Sequence, residues 1–195
     1  MSQLPLVLRR AEAADFAAIG TLLTGASHWL SAKGTDQWAA PWPATKGRDE
    51  DIKRAIGAGR TWIVLDRDSR PAATLTAGPN HDGIWPEERG REQAVYVRRL
   101  VVSRPYAGHG LGSQLLDWAG RHAAREYGAR WVRVDAWTTN TRLHAYYNSL
   151  GFQLCGLSAI PSYPSAALFQ KPVDRIRPAE DPLFRQDPGT ATASG

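Results

Sequence analysis

The chain has 195 residues, a length that holds one compact domain or at most two very small ones. Hydrophobic residues make up 43% and charged residues 22%, the balance of an ordinary globular chain, which excludes a wholly disordered or fibrous protein. Lys and Arg outnumber Asp and Glu by 24 to 19, and the resulting net charge of +5 suits an anionic ligand or partner without naming it. No apolar run approaches the roughly 20 residues that span a bilayer. The first residues read as neither a leader peptide nor a membrane anchor. One cysteine makes no internal disulfide and no cysteine-rich zinc site, so the expected compartment is the cytosol. Eight tryptophans exceed what a core of this size needs.

Taken in chain order, residues 5–10 read as a first strand. Asp15 stands where an N-cap belongs, before a helical spacing of apolar residues from Phe16 to Leu30. Residues 31–47, rich in Gly, Pro and Trp, read as a long loop. Asp49 or Asp51 opens a second short helix that ends at Gly57–Gly59. Two β-rich runs, 61–68 and 70–78, meet at Asp68-Ser69 and predict an antiparallel hairpin. A polar loop fills 79–92. Residues 94–102 (AVYVRRLVV) are the strongest strand of the sequence. An amphipathic helix follows, with Leu111, Leu115, Trp118, Ala119 and His122 on one side and Gly128 as its stop. A strand at 129–137, a short helix closed by Gly151, and strands at 152–156 and 166–171 complete the pattern. The order predicts one α/β domain with a mixed, mostly antiparallel sheet and a β-α-β unit at 94–137. Prolines and charges recur without period from Pro172, so 172–195 reads as a flexible tail of unknown purpose.

The local feature with clear chemistry is Gly108-His109-Gly110-Leu111-Gly112, between strand and helix. Alternating glycines let backbone approach a ligand and take positive φ. The helix that follows begins with unpaired N–H groups and a partial positive charge. Together these suit a phosphate or pyrophosphate. No Lys follows the glycines, which excludes a P-loop. Ser113 stands where a Rossmann turn wants its third small residue, and too little chain follows 137 to finish a dinucleotide-binding half.

The run LVVSRPYAGHGLGSQLLDWA resembles the acyl-CoA-binding segment of the GNAT superfamily of N-acetyltransferases. Leu100-Val101-Val102 and Ala107-Gly108-His109-Gly110-Leu111-Gly112, with Ser113, occupy its places. A second signature is similar too: Asn140, then Tyr146-Tyr147-Asn148-Ser149-Leu150-Gly151-Phe152. The resemblance covers roughly residues 5–171. It implies the GNAT-like fold, in which the central β-α-β unit splays open, and an acyl thioester as cofactor, acetyl-CoA or another acyl-CoA or phosphopantetheine thioester. It departs at Ala107, where the family usually has Arg or Gln. Backbone N–H groups then carry more of the pyrophosphate, with Arg104 or His109 as compensating side chains.

The implied reaction transfers an acyl group to a primary amine of a small molecule by direct attack in a ternary complex. An amine with a pKa near 10.4 is neutral in only about one molecule in 2,500 at pH 7, so a general base helps. Base candidates are Glu92 and Asp135, with Glu87, Glu88, Asp82 and His81 in the preceding loop; the alternative for Asp135 is an ion pair with Arg133 or Arg99. A backbone N–H within Leu100–Val102 serves the thioester oxygen. Tyr147 aligns with the tyrosine that faces the leaving sulfur, whereas Tyr146 reads as packing. Asn140 reads either as a partner of the pantetheine amides or as a helix cap. Asp36, Gln37, Trp38, Trp42 and Trp85 form the expected substrate-pocket wall, where aromatic faces beside a carboxylate suit a cationic amine. Their alternative is to close the two loops onto the core. The histidines lack metal-like spacing, so no metal is expected.

Two other readings stay open. The basic charge suits an acidic acyl carrier protein as donor, and the fold can also serve as a non-catalytic CoA-binding module. Neither nucleic acid nor membrane is an expected partner, and the protomer is read as a monomer or homodimer. The abundance of Ala, Arg, Gly and Trp points to a GC-rich bacterial source.

Overall fold

The computed structural model describes residues 6–37, 45–80, 83–86, 93–158, 160 and 163–188. Along the chain the strands are β1 (Leu6–Arg10), β2 (Thr61–Leu65), β3 (Pro71–Gly78), β4 (Ala94–Val102), β5 (Trp131–Ala136), β6 (Gln153–Leu157), β7 (Ala167–Pro172) and β8 (Phe184–Gln186). The helices are α1 (Phe16–Ala32), α2 (Thr45–Gly57), α3 (Leu111–Tyr127) and α4 (Thr141–Ser149), with single 3-10 turns at Ala13–Asp15, Arg104–Tyr106 and Val173–Arg175. All eight strands join one mixed sheet in the order β6-β7-β5-β4-β3-β2-β1-β8. Only β4–β5 and β1–β8 run parallel.

Two features of β4 shape the molecule. Its register against β3 shifts between Thr74 and Thr76, and Arg99 takes φ +52 there. That is a β-bulge, which bends the strand and raises its local twist. On its other side β4 pairs β5 only from Ala94 to Tyr96, opposite Trp131 to Arg133. Beyond those pairs β5 continues against β7 as far as Ala136, while β4 stays with β3 to Val102. The two parallel strands therefore part, and the expected splay is present.

Strand alternation assigns the faces. Val132, Val134 and Ala136 of β5 join Leu111, Leu115, Leu116 and Tyr147 in the core between sheet and α3/α4. On the opposite face Val101 of β4 packs with Ile19, Leu22, Leu23, Ile52 and Ile56 of α1 and α2. Further along that face Tyr96 and Leu168 pack with Ile84 and Trp85. Gly120 lets α3 lie close on the sheet: a Cβ there would stand 2.5 Å from Val132 Cγ2 and 2.7 Å from Ile176 Cδ1.

Three sequence expectations change. Asp15 precedes α1, yet its side chain does not cap it. The carboxylate accepts from the Glu12 backbone N–H at 2.7 Å and from both Arg9 Nη atoms at 2.7 and 2.9 Å, an arginine fork that outcompetes a cap. The second helix starts at Thr45 rather than at an Asp, taking in part of the expected loop. The expected tail from 172 is built into the fold as far as 188. It crosses α3, burying Ile176, and ends in β8, which pairs parallel with the open edge of β1.

Candidate active site

The parting of β4 from β5 leaves an opening whose floor is the glycine turn. Ser103 N–H bonds the Ala72 carbonyl on the β3 side at 2.8 Å, so strand alternation turns the N–H of Val102 the other way, into the opening. Leu100 and Val102 pack partly against the α3-side core; Val101 faces α1. The turn Ala107–Gly112 follows. Gly108 and Gly110 both take φ +85, a conformation that a Cβ strains. Gly110 is the N-cap of α3, and its carbonyl accepts from Ser113 Oγ at 2.7 Å and from Gln114 N at 3.0 Å. The first-turn N–H groups of Leu111, Gly112 and Ser113 have no carbonyl one turn back to bond. Positive-φ residues alternating with His109 just before a helix start aim backbone N–H groups into one concavity, a nest suited to an anion. The Leu111 side chain itself is core.

The two side chains named as compensation for Ala107 part company. Arg104 turns toward α1, its guanidinium 4.3 Å from the Trp29 ring centre. His109 is exposed on the turn. A latch steadies the approach to the turn: Tyr106 Oη donates to Asp66 Oδ2 at 2.7 Å. Asp66 also accepts from the backbone N–H of Asp68 and Arg70 at 2.9 and 2.8 Å, closing the β2–β3 hairpin. These donors, Tyr106 first, hold its carboxyl below the usual range.

Asp135 lies on the β5 face away from α3. Tyr163 Oη donates to its Oδ2 at 2.9 Å, and the Ser165 hydroxyl also bonds it. Burial pushes its carboxyl above the usual value; the two hydroxyls and the nearby Arg98 charge only partly oppose this. The alternative ion pair is not what holds it. Arg99 Nη2 faces Asp51 at 3.8 Å, and the Arg133 guanidinium, 0% exposed, donates to Tyr96 Oη at 2.9 Å and to Gln170 Oε1 at 3.2 Å. Tyr163, in the β6–β7 connection, was not legible as a site residue. Its only sequence mark is an aromatic among prolines and serines.

Tyr147 is buried between Phe152 and Phe169, with ring centres 5.5 and 5.6 Å away. Burial, then the Asp135 charge, raises its phenol. Tyr146, expected as packing, is 40% exposed. Its hydroxyl bonds Ser113 and stands 3.4 Å from where a Gly112 Cβ would be. It therefore faces the head of α3. Asn140 is a helix cap: its Oδ1 accepts from Leu143 N at 2.9 Å, and its Nδ2 donates to Gln37 Oε1. Asp36 Oδ1 accepts from Thr139 Oγ1 at 2.6 Å. Asp36 and Gln37 thus sit on the connection that follows β5.

Trp85 does not join them. It is 2% exposed, edge-on to Tyr96 at 5.9 Å, with the Arg133 guanidinium 4.6 Å from its ring centre. A fully buried guanidinium needs hydrogen bonds and π faces, and Trp85 supplies one of them. Trp38, Trp42, His81, Asp82, Glu87, Glu88 and Glu92 lie outside the described residues.

A cavity of about 650 Å³ adjoins the end of β4, between α1 and the Arg104–Tyr106 turn. Among the described residues no three His, Cys, Asp or Glu converge on a metal position. No helix among them is long and apolar enough to cross a membrane.

An opened parallel pair, an anion nest at its floor and a buried acid beside a buried phenol are the parts of a group-transfer site. The chain belongs to the acetyltransferase (GNAT) family, whose model matches residues 25–152. It is a GNAT-type N-acetyltransferase. It is 32% identical over 152 residues to the uncharacterized N-acetyltransferase YesJ of Bacillus subtilis, covering 74% of this chain and 80% of the relative. Its fold is similar to a GNAT-family acetyltransferase from Listeria monocytogenes, with TM-score 0.67, 22% identity, and 86% and 94% of the two chains covered. It is also similar to a spermidine N-acetyltransferase from Vibrio cholerae in complex with CoA and spermine, with TM-score 0.59, 14% identity, and 88% and 98% covered.

Proposed function

We propose that the protein transfers an acetyl or other short acyl group from acyl-CoA to the amine of a small molecule, with Asp135 as general base and Tyr147 as donor to the leaving sulfur. The observation that supports this is the parting of β4 from β5 beyond Tyr96 and Arg133, with Asp135 on the stretch of β5 that no longer pairs β4. The solved Vibrio cholerae relative, which is in complex with CoA and spermine, supports the choice of donor and of an amine acceptor. The pyrophosphate lies on the nest of Gly108–Ser113, and the pantetheine arm runs up the opening along Leu100–Val102. The thioester oxygen takes its hydrogen bond from a backbone N–H of β4, with Val102 turned toward it. Asp36 and Gln37 border the acceptor.

The amine nitrogen attacks the carbonyl carbon, the C–N bond forms and the C–S bond breaks. Asp135 takes the proton that the nitrogen sheds. Tyr147 hydrogen-bonds the departing thiolate, and the sulfur ends as a thiol, so one proton leaves nitrogen and one reaches sulfur. A raised Asp135 makes a stronger base than an ordinary carboxylate, which brings its pKa nearer to working pH. A raised Tyr147 keeps its proton until the thiolate has formed. Because an ordinary tyrosine is already about 1.5 units weaker an acid than a thiol, the proton moves late.

The test is Asp135→Asn. CoA release with an accepted amine should fall by about 10²- to 10⁴-fold, and the acid limb of the wild-type pH–rate profile, set above the usual carboxylate range, should vanish. A variant that keeps both the rate and the acid limb overturns the role of Asp135.

A further inference from the structure

The cavity beside β4 carries a statement about the acceptor that the family does not make. Its wall on α1 is built of small side chains, Ala18, Gly25 and Ala26 among them, and Val101 closes it from β4. Gly25 contributes open space, because a Cβ there would meet nothing within 4 Å. The size is that of a small-molecule site. Thirteen described residues line it, and they include two arginines, Arg70 and Arg104, and no Asp or Glu. Arg70 leans outward beside Asp68, 3.4 Å away. The Arg104 guanidinium stands over the Trp29 ring, 4.3 Å from its centre, a contact that draws on the ring face and not on the N–H donors.

Position connects this cavity to the chemistry. Val101 and Asp135 point to the same face of the sheet, the one away from α3. The donor groove and α3 belong to the other face. A molecule in the cavity therefore lies against the end of β4 at Val101 and Val102, on the sheet face that Asp135 shares.

We propose that the cavity holds the apolar, carboxylate-bearing body of the acceptor, so that the acceptor is an amine with an apolar chain or ring and an anionic end rather than a polyamine. The assignment rests on the acyltransferase reading above. A mostly apolar wall, with Ala18, Leu22, Ala26, Pro71 and Val101 in it, rewards methylenes and aromatic carbons. Arg70 is partly neutralised by Asp68, so the cation left to the rim is Arg104, whose guanidinium attracts a carboxylate and can bond it in fork geometry. The same rim repels a second ammonium group.

Two measurements test this. The first uses 3-phenylpropionate, an apolar carboxylate without an amine, in calorimetric titration of the full chain. It should bind, Arg104→Ala should weaken it by about tenfold, and Gly25→Leu, which fills the space and favours the helix, should abolish it. CoA affinity should stay the same in both variants. Binding of the probe that survives Gly25→Leu overturns the site. Loss of CoA affinity in Arg104→Ala overturns it too, since Arg104 would then serve the donor. The second compares acetyl-CoA turnover with phenylalanine, 6-aminohexanoate and spermidine. A carboxylate-bearing amine should be preferred by at least tenfold, and the preference should drop in Gly25→Leu. Preference for spermidine overturns the acceptor class and leaves the acyltransferase reading standing. If the probe binds and none of the amines releases CoA, the acyltransferase reading fails and the acceptor assignment falls with it.

Discussion

Two ionisable side chains of the proposed site are displaced in the same direction by the same cause. Burial raises both Asp135 and Tyr147, and under the proposed mechanism the consequences differ, because there one accepts a proton and the other offers one. For Tyr147 the expected result of Tyr147→Phe is a fall in kcat of about 10- to 100-fold with little change in KM for the donor. A donor built on a thiol of low pKa should recover most of the loss, since its thiolate needs no hydrogen bond. Equal losses with both donors would reduce Tyr147 to a core aromatic. Asp135 carries a stability consequence as well. Its folded pKa lies above its unfolded one, so its protonated form favours the fold, and stability falls as pH rises through the folded pKa. Asp135→Asn should therefore melt higher than wild type at neutral pH while losing activity. The position of Tyr147 ahead of Gly151-Phe152 was legible because a short helix fixes that distance. The role of Trp85 was not. A tryptophan beside acidic loop residues has the same composition whether it meets substrate or a buried Arg133, which lies 48 positions away in the chain.

At the scale of elements the glycine turn and its latch are separate parts of the proposed donor site. The turn was legible because φ +85 at Gly108 and Gly110 demands glycine wherever it occurs. The latch was not, because Asp66 and Tyr106 stand 40 residues apart and only the packed sheet brings the β2–β3 hairpin to the Arg104–Tyr106 turn. With Ala107 in place of an arginine or glutamine, the backbone N–H groups bind best if they are already aligned before the donor arrives. Tyr106→Phe frees the turn from the hairpin without touching the glycines. It should raise KM for acyl-CoA by about fivefold with kcat unchanged, as steady-state kinetics in the donor will show. A matching fall in kcat would mean that the latch also shapes β4 itself. The splay belongs to this scale too. It follows from a bulge at Arg99, and an arginine inside a strand of valines gives no hint of a left-handed residue.

At the scale of the whole molecule the open question is what 172–195 adds to a fold already legible over roughly 5–171. The stretch reads as a tail because Phe184–Gln186 is too short to show a strand period and stands among prolines and charges. Its pairing partner is the free edge of β1, a feature of the assembled sheet and not of the local sequence. What it does is visible along α3. Val173 and Ile176 fill the groove that Gly120 leaves. Gln114, in the first turn of α3, donates to the Asp181 carbonyl at 3.0 Å and accepts from Leu183 N at 2.9 Å. Trp118 Nε1 donates to Gln186 Oε1 at 3.1 Å. The segment is thus a strap that ties both the middle and the head of α3, the helix proposed to receive the pyrophosphate at its N-terminus. A chain ending after Pro172 loses the burial of Ile176, worth about 1.5–3 kcal/mol, and opens the edge of β1. For a protein of this size it should melt roughly 3–12 °C lower. Because Gln114 neighbours Ser113, the shortened chain should also bind CoA several-fold more weakly at temperatures where it remains folded. Thermal unfolding and CoA titration of the two chains side by side separate these effects: unchanged melting would make the strap an appendage, and lower melting with unchanged CoA affinity would make it a support for the helix but not for the nest.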